Sequence, residues 1–352
     1  MNKKITFLSI SLGKGGAENQ MIKLAIDLNN KDYDVNVIYF KKGNDFELIL
    51  KKNKIRTEMI SLKIGLGLIH LIKNIRKDKT NVLISFMFPS NIVARLASIF
   101  CNVKLITSVR ASDISNLYLI LYKLTYKLDD ITTFNSAVAL ERLKKMKITV
   151  PSMSIIVNNA ISIPEKSNKL NTVNNVFKIV SIAHFREKEK DYKTLFKALK
   201  IVKLKGYNFK LYAIGKLFDL SWPFDLVKEF DLVDNIDFLG FVNKPEAYLK
   251  KADILVLSTF GESTPNAILE GMAHSLPIIA TNVPGCAAIL DDSNAGFLSG
   301  YEDSNDLAIK IIYLINMPNN LRDKIGAKGF KYVNQNYNEK VVFSKWEQII
   351  NN

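Results

Sequence analysis

The chain has 352 residues, 48% of them hydrophobic and 24% charged, which is enough for two domains with separate cores. No apolar run approaches the roughly 18 residues that a membrane span needs, and two cysteines, Cys101 and Cys286, make no disulfide framework and fit reduced cytosolic chemistry. The net charge of +15 is lopsided: residues 1–165 hold 25 basic against 13 acidic side chains, whereas residues 166–352 hold 24 against 21.

A first half at +12 suits an anionic partner, phospholipid or nucleic acid, although a lysine-rich solvated surface has the same composition. The opening residues are basic and then apolar. Gly13 to Glu18 interrupt that run before a signal-peptide core develops, so it reads as a first buried strand. Strands are predicted over residues 5–10, 35–40, 57–62, 82–86, 104–109, 131–135 and 155–157. Helical patterns fill the intervals, beginning with 17–29, and the alternation predicts a parallel sheet of βαβ units.

The loop after the first strand contains Gly13, Gly15 and Gly16 and opens a helix. Glycines there let the backbone approach a ligand at the carboxyl end of a strand, and a tight turn that needs glycine for packing is the plain alternative. Glu18 stands where a dinucleotide-binding loop needs a small residue, and no acidic ribose partner follows, so NAD is disfavoured. Asp32 and Asp34 form the one Asp-x-Asp pair, in a turn. His70, His184 and His274 are scattered, which leaves no zinc spacing. The strand at 104–109 runs into Arg110, with Asp113 close by; an arginine takes no proton at neutral pH but can bind phosphate. Helix 116–128 sets Tyr118, Tyr122 and Tyr126 at spacing four beside Lys123 and Lys127. That pattern suits a membrane interface or a lipid-linked acceptor, but a buried domain helix is the preferred reading.

Residues 162–175 are polar, almost free of periodicity, and read as a linker. Strands follow at 177–183, 209–215, 235–239, 252–258 and 277–281. The loop after the first of them is basic, with His184, Arg186, Lys188 and Lys190 ahead of Asp191 and a helix at 192–204; a solvated run of mixed charge is its plain reading. The strand at 252–258 leads into 261–274, where Glu262 and Glu270 stand eight residues apart. Thr264 is placed to N-cap, Pro265 fits the first helical position, and 267–272 continue the helix. Strand, short loop and helix N-terminus are where an α/β fold binds phosphate. Two carboxylates cannot bind phosphate, but they accept hydrogen bonds from sugar and ribose hydroxyls. The local chemistry is that of a nucleotide-sugar site, against a capping carboxylate at 262 and an exposed helix residue at 270. Helices at 321–329 and 340–351 close the chain.

Segment 261–274, with 276–285 after it, resembles the signature of retaining GT-B glycosyltransferases of the "group 1" or family 4 class, and Gly15 to Glu18 resemble that family's first loop. The likeness covers nearly the whole chain, strongly over 177–300 and loosely before. It implies an α/β protein with two Rossmann-like domains whose parallel sheets face each other across a cleft. Residues 1–161 would bind the acceptor, 162–175 link, 176–335 bind the nucleotide-sugar, and 336–352 cross back to the first domain or cap their own. The implied reaction moves a sugar, with retention, from a nucleotide-diphosphate donor (UDP-sugar first) onto a lipid-linked or saccharide acceptor of a surface polysaccharide. By the same resemblance Glu270 takes both ribose hydroxyls and Glu262 the sugar hydroxyls near the reacting carbon. Amides of Ser263, Thr264, Asn266 and Ala267 face sugar and phosphate.

Lys190 matches the family's lysine on the leaving diphosphate. Strict spacing puts His184 at the family's arginine, and Arg186 is favoured there as a permanent cation. With two cations in place no metal and no other cofactor is expected. Gly15 and Gly16 would face the donor diphosphate, and Arg110 and Asp113 the acceptor. Relatives carry a histidine near the acceptor where this chain has Arg110, so the base is unassigned. The resemblance and the charge together suggest a cytoplasmic protein, free or on the inner membrane face against anionic lipid, with no nucleic-acid partner. A sugar-nucleotide epimerase or phosphorylase on the same scaffold, and a non-catalytic basic membrane or nucleic-acid binder, are the rival readings.

Overall fold

Seven short apolar runs of the first half become one parallel sheet: β1 (Lys4–Ser11), β2 (Asp34–Lys41), β3 (Arg56–Met59), β4 (Val82–Phe86), β5 (Lys104–Val109), β6 (Ile131–Phe134) and β7 (Ser154–Ile156). The computed structural model describes residues 3–13, 15–41, 46–61, 64–110, 116–146, 153–164, 176–218 and 220–352. It divides into two units, Met1–Ala160 with Lys340–Asn352, and Ile161–Glu339. In the first, the strand order is β3-β2-β1-β4-β5-β6-β7, with Ile5 beside both Val35 and Val82. All five residues of β4 are buried, as a strand covered by helices on both faces requires. The connecting helices are α1 (Gly16–Asn30), α2 (Glu47–Lys52), α3 (Ile64–Asp78), α4 (Phe88–Ser98), α5 (Asn116–Thr125) and α6 (Ala137–Lys145). α1 packs into one core with Phe7 and Phe86, while α3 and α4 share another with Leu8 and Leu83. Leu62, the expected last residue of the third strand, lies outside the described residues.

Between α4 and β6 the first unit buries a complete ion pair. Arg95 donates to the Asp129 carboxylate from Nε (2.8 Å) and Nη2 (2.6 Å), and both side chains are 0% exposed. Thr107 Oγ1 (2.7 Å) and Thr132 Oγ1 (2.8 Å) donate to the same carboxylate, and the guanidinium lies over the Tyr122 ring at 4.3 Å.

The second unit has a six-stranded parallel sheet in the order β10-β9-β8-β11-β12-β13. Its strands are β8 (Phe177–Ile182), β9 (Phe209–Ile214), β10 (Ile236–Gly240), β11 (Ile254–Leu257), β12 (Ile278–Thr281) and β13 (Gly296–Ser299). Its helices are α7 (Tyr192–Leu204), α8 (Trp222–Glu229), α9 (Glu246–Leu249), α10 (Asn266–Ala273), α11 (Pro284–Ser293), α12 (Ser304–Asn316) and α13 (Asn319–Asn336). The expected strands appear within a few residues of their predicted ends, and β13 is an addition. Gly296 opens it because a Cβ there would sit 1.9 Å from Ile278 O on β12. Of the predicted linker only 162–164 are described; Ile161 N–H already bonds Tyr337 O (2.7 Å) inside the second unit.

The last helix, α14 (Glu339–Asn351), packs in the first unit from Lys340 onward. Val342, Phe343, Trp346, Ile349 and Ile350 form its buried stripe, and Trp346 stacks on Phe86 at 6.0 Å. Lys104 Nζ and Lys3 Nζ donate to Ile349 O (2.7 Å) and Ile350 O (2.8 Å), cations meeting the carbonyl end of the helix.

Candidate active site

In the second sheet β8 pairs with β9 on one side and β11 on the other, so the direction of winding reverses there. Loops 183–191 and 258–265 leave the carboxyl ends of these two strands, the place where such sheets open a ligand crevice. The loops are tied together. Asp191 N–H donates to Ser258 O (3.2 Å), Phe260 N–H to Glu189 O (3.2 Å) and Thr259 Oγ1 to Glu189 O (3.0 Å). Asp191 then caps α7 by accepting from Thr194 N–H (3.0 Å). With the two loops so fixed, the Lys190 ammonium donates a hydrogen bond to the Glu262 carboxylate. The side chains are 15% and 19% exposed, shielded enough for the charges to matter and still open to a ligand. Seventy-two positions separate the two in sequence. Local motifs single out each residue, but only the fold shows that they meet.

The main chain of Glu262 rests on the start of α11. A Cβ on Gly285 would lie 2.3 Å from Glu262 O, so only glycine fits there without moving the loop. Cys286, next to it, is no nucleophile: burial first, then the Glu262 charge, push its thiol well above the usual range.

The helix start differs from expectation. α10 begins at Asn266, with Pro265 itself in the cap position at ψ 100° and no side-chain cap. Thr264 precedes a proline, which disfavours helical backbone there, and it is buried at 8% exposure. It is neither the cap nor followed by proline at the first helical position. Within α10, Ile268, Leu269, Gly271, Met272 and Ala273 are buried, leaving Asn266, Ala267 and Glu270 as the partly exposed stripe. Asn266 and Glu270 are one turn apart on one face, and the first-turn N–H groups point out of the helix end at which Asn266 stands. Ser263 and Glu262 are partly exposed in the loop just ahead. One turn on, burial pulls the His274 pKa down, and the neutral ring donates Nδ1–H to Glu270 O (2.9 Å).

The two candidates for the second cation behave differently. Arg186 is 52% exposed, ion-paired with Glu189 (3.0 Å) and set over the Phe218 ring at 5.3 Å. His184 Nδ1 accepts from Lys216 N–H (3.1 Å), which places the proton of the neutral ring on Nε2. Its ring meets Phe218 edge-on at 5.9 Å.

In the first unit Gly15 is the N-cap of α1 and Gly16 its first residue. A Cβ on Gly15 would meet the movable end of the Glu18 side chain at 2.1 Å, and burial raises the pKa of Glu18. Arg110, beyond β5, donates to Ser108 Oγ (2.9 Å) and Asn159 Oδ1 (2.6 Å) beneath the Phe86 ring (4.9 Å). Burial pushes its pKa down to about 9, which leaves it charged at neutral pH. Asp113 lies outside the described residues. Among the described residues no three side chains of metal-ligand type converge, and no helix is long and apolar enough to cross a membrane.

Thr259 and Glu189 escaped the reading of the sequence, and Gly285 entered it only as the last residue of segment 276–285. A threonine hydroxyl and two backbone contacts leave no local pattern; only the glycine two residues into a helix start could have hinted at a close approach.

Residues 162–332 match the family model described as "Glycosyl transferases group 1". The capsular polysaccharide biosynthesis glycosyltransferase CapM of Staphylococcus aureus is 28% identical over 165 residues, 47% of this chain and 43% of CapM, so the match spans less than half of that relative. An α-1,4-N-acetyl-D-galactosaminyltransferase of Campylobacter jejuni, named for an undecaprenol-diphosphate-linked acceptor, is 25% identical over 90% of each chain. Among solved structures, Anabaena HepE in complex with UDP and glucose has a TM-score of 0.87 over 99% of this chain and 100% of its own, at 17% identity. A glycosyltransferase from Rickettsia africae has a TM-score of 0.86 over 99% and 98%, at 19% identity. At such identities the structures speak for a shared fold.

Proposed function

Because residues 162–332, nearly all of the second unit, belong to the group 1 glycosyl transferases, we propose that this chain moves a sugar from a nucleoside-diphosphate sugar to an acceptor in surface-polysaccharide biosynthesis. The observation that carries the reading is the Lys190–Glu262 pair held at the point where the second sheet reverses. Without a ligand the two charges satisfy each other. A diphosphate at the start of α10 draws off the ammonium, and the released carboxylate accepts hydrogen bonds from sugar hydroxyls. As the bond between the anomeric carbon and the diphosphate oxygen breaks, negative charge grows on that oxygen. Lys190 and the first turn of α10 stabilise it, with Arg186 or the Nε2–H of His184 as the second donor.

These groups supply the neutralisation that a divalent cation would otherwise give, which supports a metal-independent reaction. Retention follows the family resemblance. UDP is the donor nucleotide of first choice because HepE, alike in fold, binds UDP and UDP-glucose. Glu270, on the partly exposed stripe of α10, takes the ribose. A lipid-linked acceptor is favoured by the Campylobacter relative, and we assign it to the first unit, where Arg110 is a cation for its phosphate. Such an acceptor places the reaction at the cytoplasmic membrane surface.

Screening UDP-, GDP- and ADP-sugars tests this reading. A UDP-sugar at 100 times its dissociation constant adds about 2.7 kcal/mol of stability, so it alone should raise the melting temperature, and it should be hydrolysed slowly without acceptor. No shift with any of the three would defeat the proposal. Conversion of the donor into an isomer would replace it with an epimerase.

A further inference from the structure

Half of α5 is buried as a domain helix should be: Tyr122 is fully enclosed, and Leu119, with Tyr126 just past the helix end, packs with it. The other half faces solvent. Ile120 and Leu124 are 57% and 75% exposed, the exposed Lys123 shares their face, and the exposed Lys127 follows in the 3-10 turn Tyr126–Leu128 that continues the helix. α3 has the same character. Leu66 and Ile69, 52% and 50% exposed, are followed on one face by the exposed Lys73, Arg76 and Lys77. Both helices contact α4, so α3, α4 and α5 belong to one layer, with neighbouring axes about 8–10 Å apart. Phe100, 55% exposed, follows the end of α4, its carbonyl held by Arg76 Nη2 (2.8 Å).

Single exposed aliphatic residues are ordinary. Here four of them share two helix faces with five cations, and neither stripe contains an acid, in the half of the chain that carries the net +12. A second copy of the chain would bring like charge against like. A nucleic acid has no use for the aliphatic side chains. A bilayer of anionic lipid uses both kinds, lysines at the headgroups and aliphatic side chains at the acyl boundary.

We propose that the outer face of the α3–α4–α5 layer docks on an anionic phospholipid surface. The inference rests on the transferase reading only for its purpose, which is to bring the enzyme to a lipid-linked acceptor. Flotation with phosphatidylglycerol and phosphatidylcholine vesicles tests it. The full chain should bind the anionic vesicles, lose most of that binding in 0.5 M salt, and bind the neutral ones at least tenfold more weakly. Ile120→Ser/Leu124→Ser and Lys123→Glu/Lys127→Glu should each weaken binding about tenfold or more while melting and donor hydrolysis stay unchanged. Should either variant melt early, Lys73→Glu/Lys77→Glu on α3 gives the same reading. Absent binding to anionic vesicles, equal binding by the variants, or a preference for duplex DNA would overturn the proposal. Vesicle binding lost with hydrolysis intact removes the docking face alone; hydrolysis absent with binding intact removes the transferase alone.

Discussion

Lys190→Met should slow sugar transfer by about 10²–10³-fold, the usual cost of removing one preorganised donor from developing negative charge, while donor affinity falls by less than about tenfold. Charge on the leaving oxygen is largest as the bond breaks, so a cation there lowers the barrier more than it tightens binding. The fold gives Lys190 this part through its neighbours. Glu189 and Asp191 are pinned to the loop after β11, which leaves the ammonium between them directed at Glu262. Steady-state kinetics with varied donor separate the two terms. An unchanged turnover number with a raised KM would make Lys190 a binding residue only.

Asp129→Ala should cost about 3–5 kcal/mol of stability, because it strands the buried Arg95 guanidinium without its counter-ion. At about 2–4 °C per kcal/mol for a domain of this size, the first unit should melt roughly 10 °C lower. Thr107 and Thr132 lose the acceptor of their hydroxyls in the same step. The double change Arg95→Met/Asp129→Leu removes both charges together and should lose markedly less. Calorimetry of both variants checks this; a single variant melting within 2 °C of the parent would show that the pair contributes little.

Much of this architecture is readable from the sequence because a parallel sheet covered on both faces writes itself as short, almost purely apolar runs. β4 and β5 fall on their predicted residues for that reason. β13 does not, since Gly296–Ser299 is four residues long with a glycine at its head and depends on β12 for its identity. The helix start at Asn266 was misplaced because Thr264 carries a cap-forming side chain, whereas the following proline decides the backbone. Residues in the site were legible one loop at a time. Glu262, Glu270 and Lys190 each stand at a strand end or helix start that a motif marks. The contact of Lys190 with Glu262, and that of Arg95 with Asp129 across 34 positions, exists only once the strands are ordered side by side. Helix α5 shows the same limit: its pattern suits burial and exposure equally, and packing against Phe88 and Phe134 decides which face is which.

An activated sugar nucleotide should lie against the partly exposed stripe of α10. Calorimetric titration of UDP into the parent protein and into Glu270→Ala reads this directly. A carboxylate that accepts from ribose hydroxyls contributes about 1.5–3 kcal/mol per charged hydrogen bond, so the variant should bind at least tenfold more weakly with an unaltered melting temperature. Equal affinity in the two proteins would mean that the nucleotide sits elsewhere.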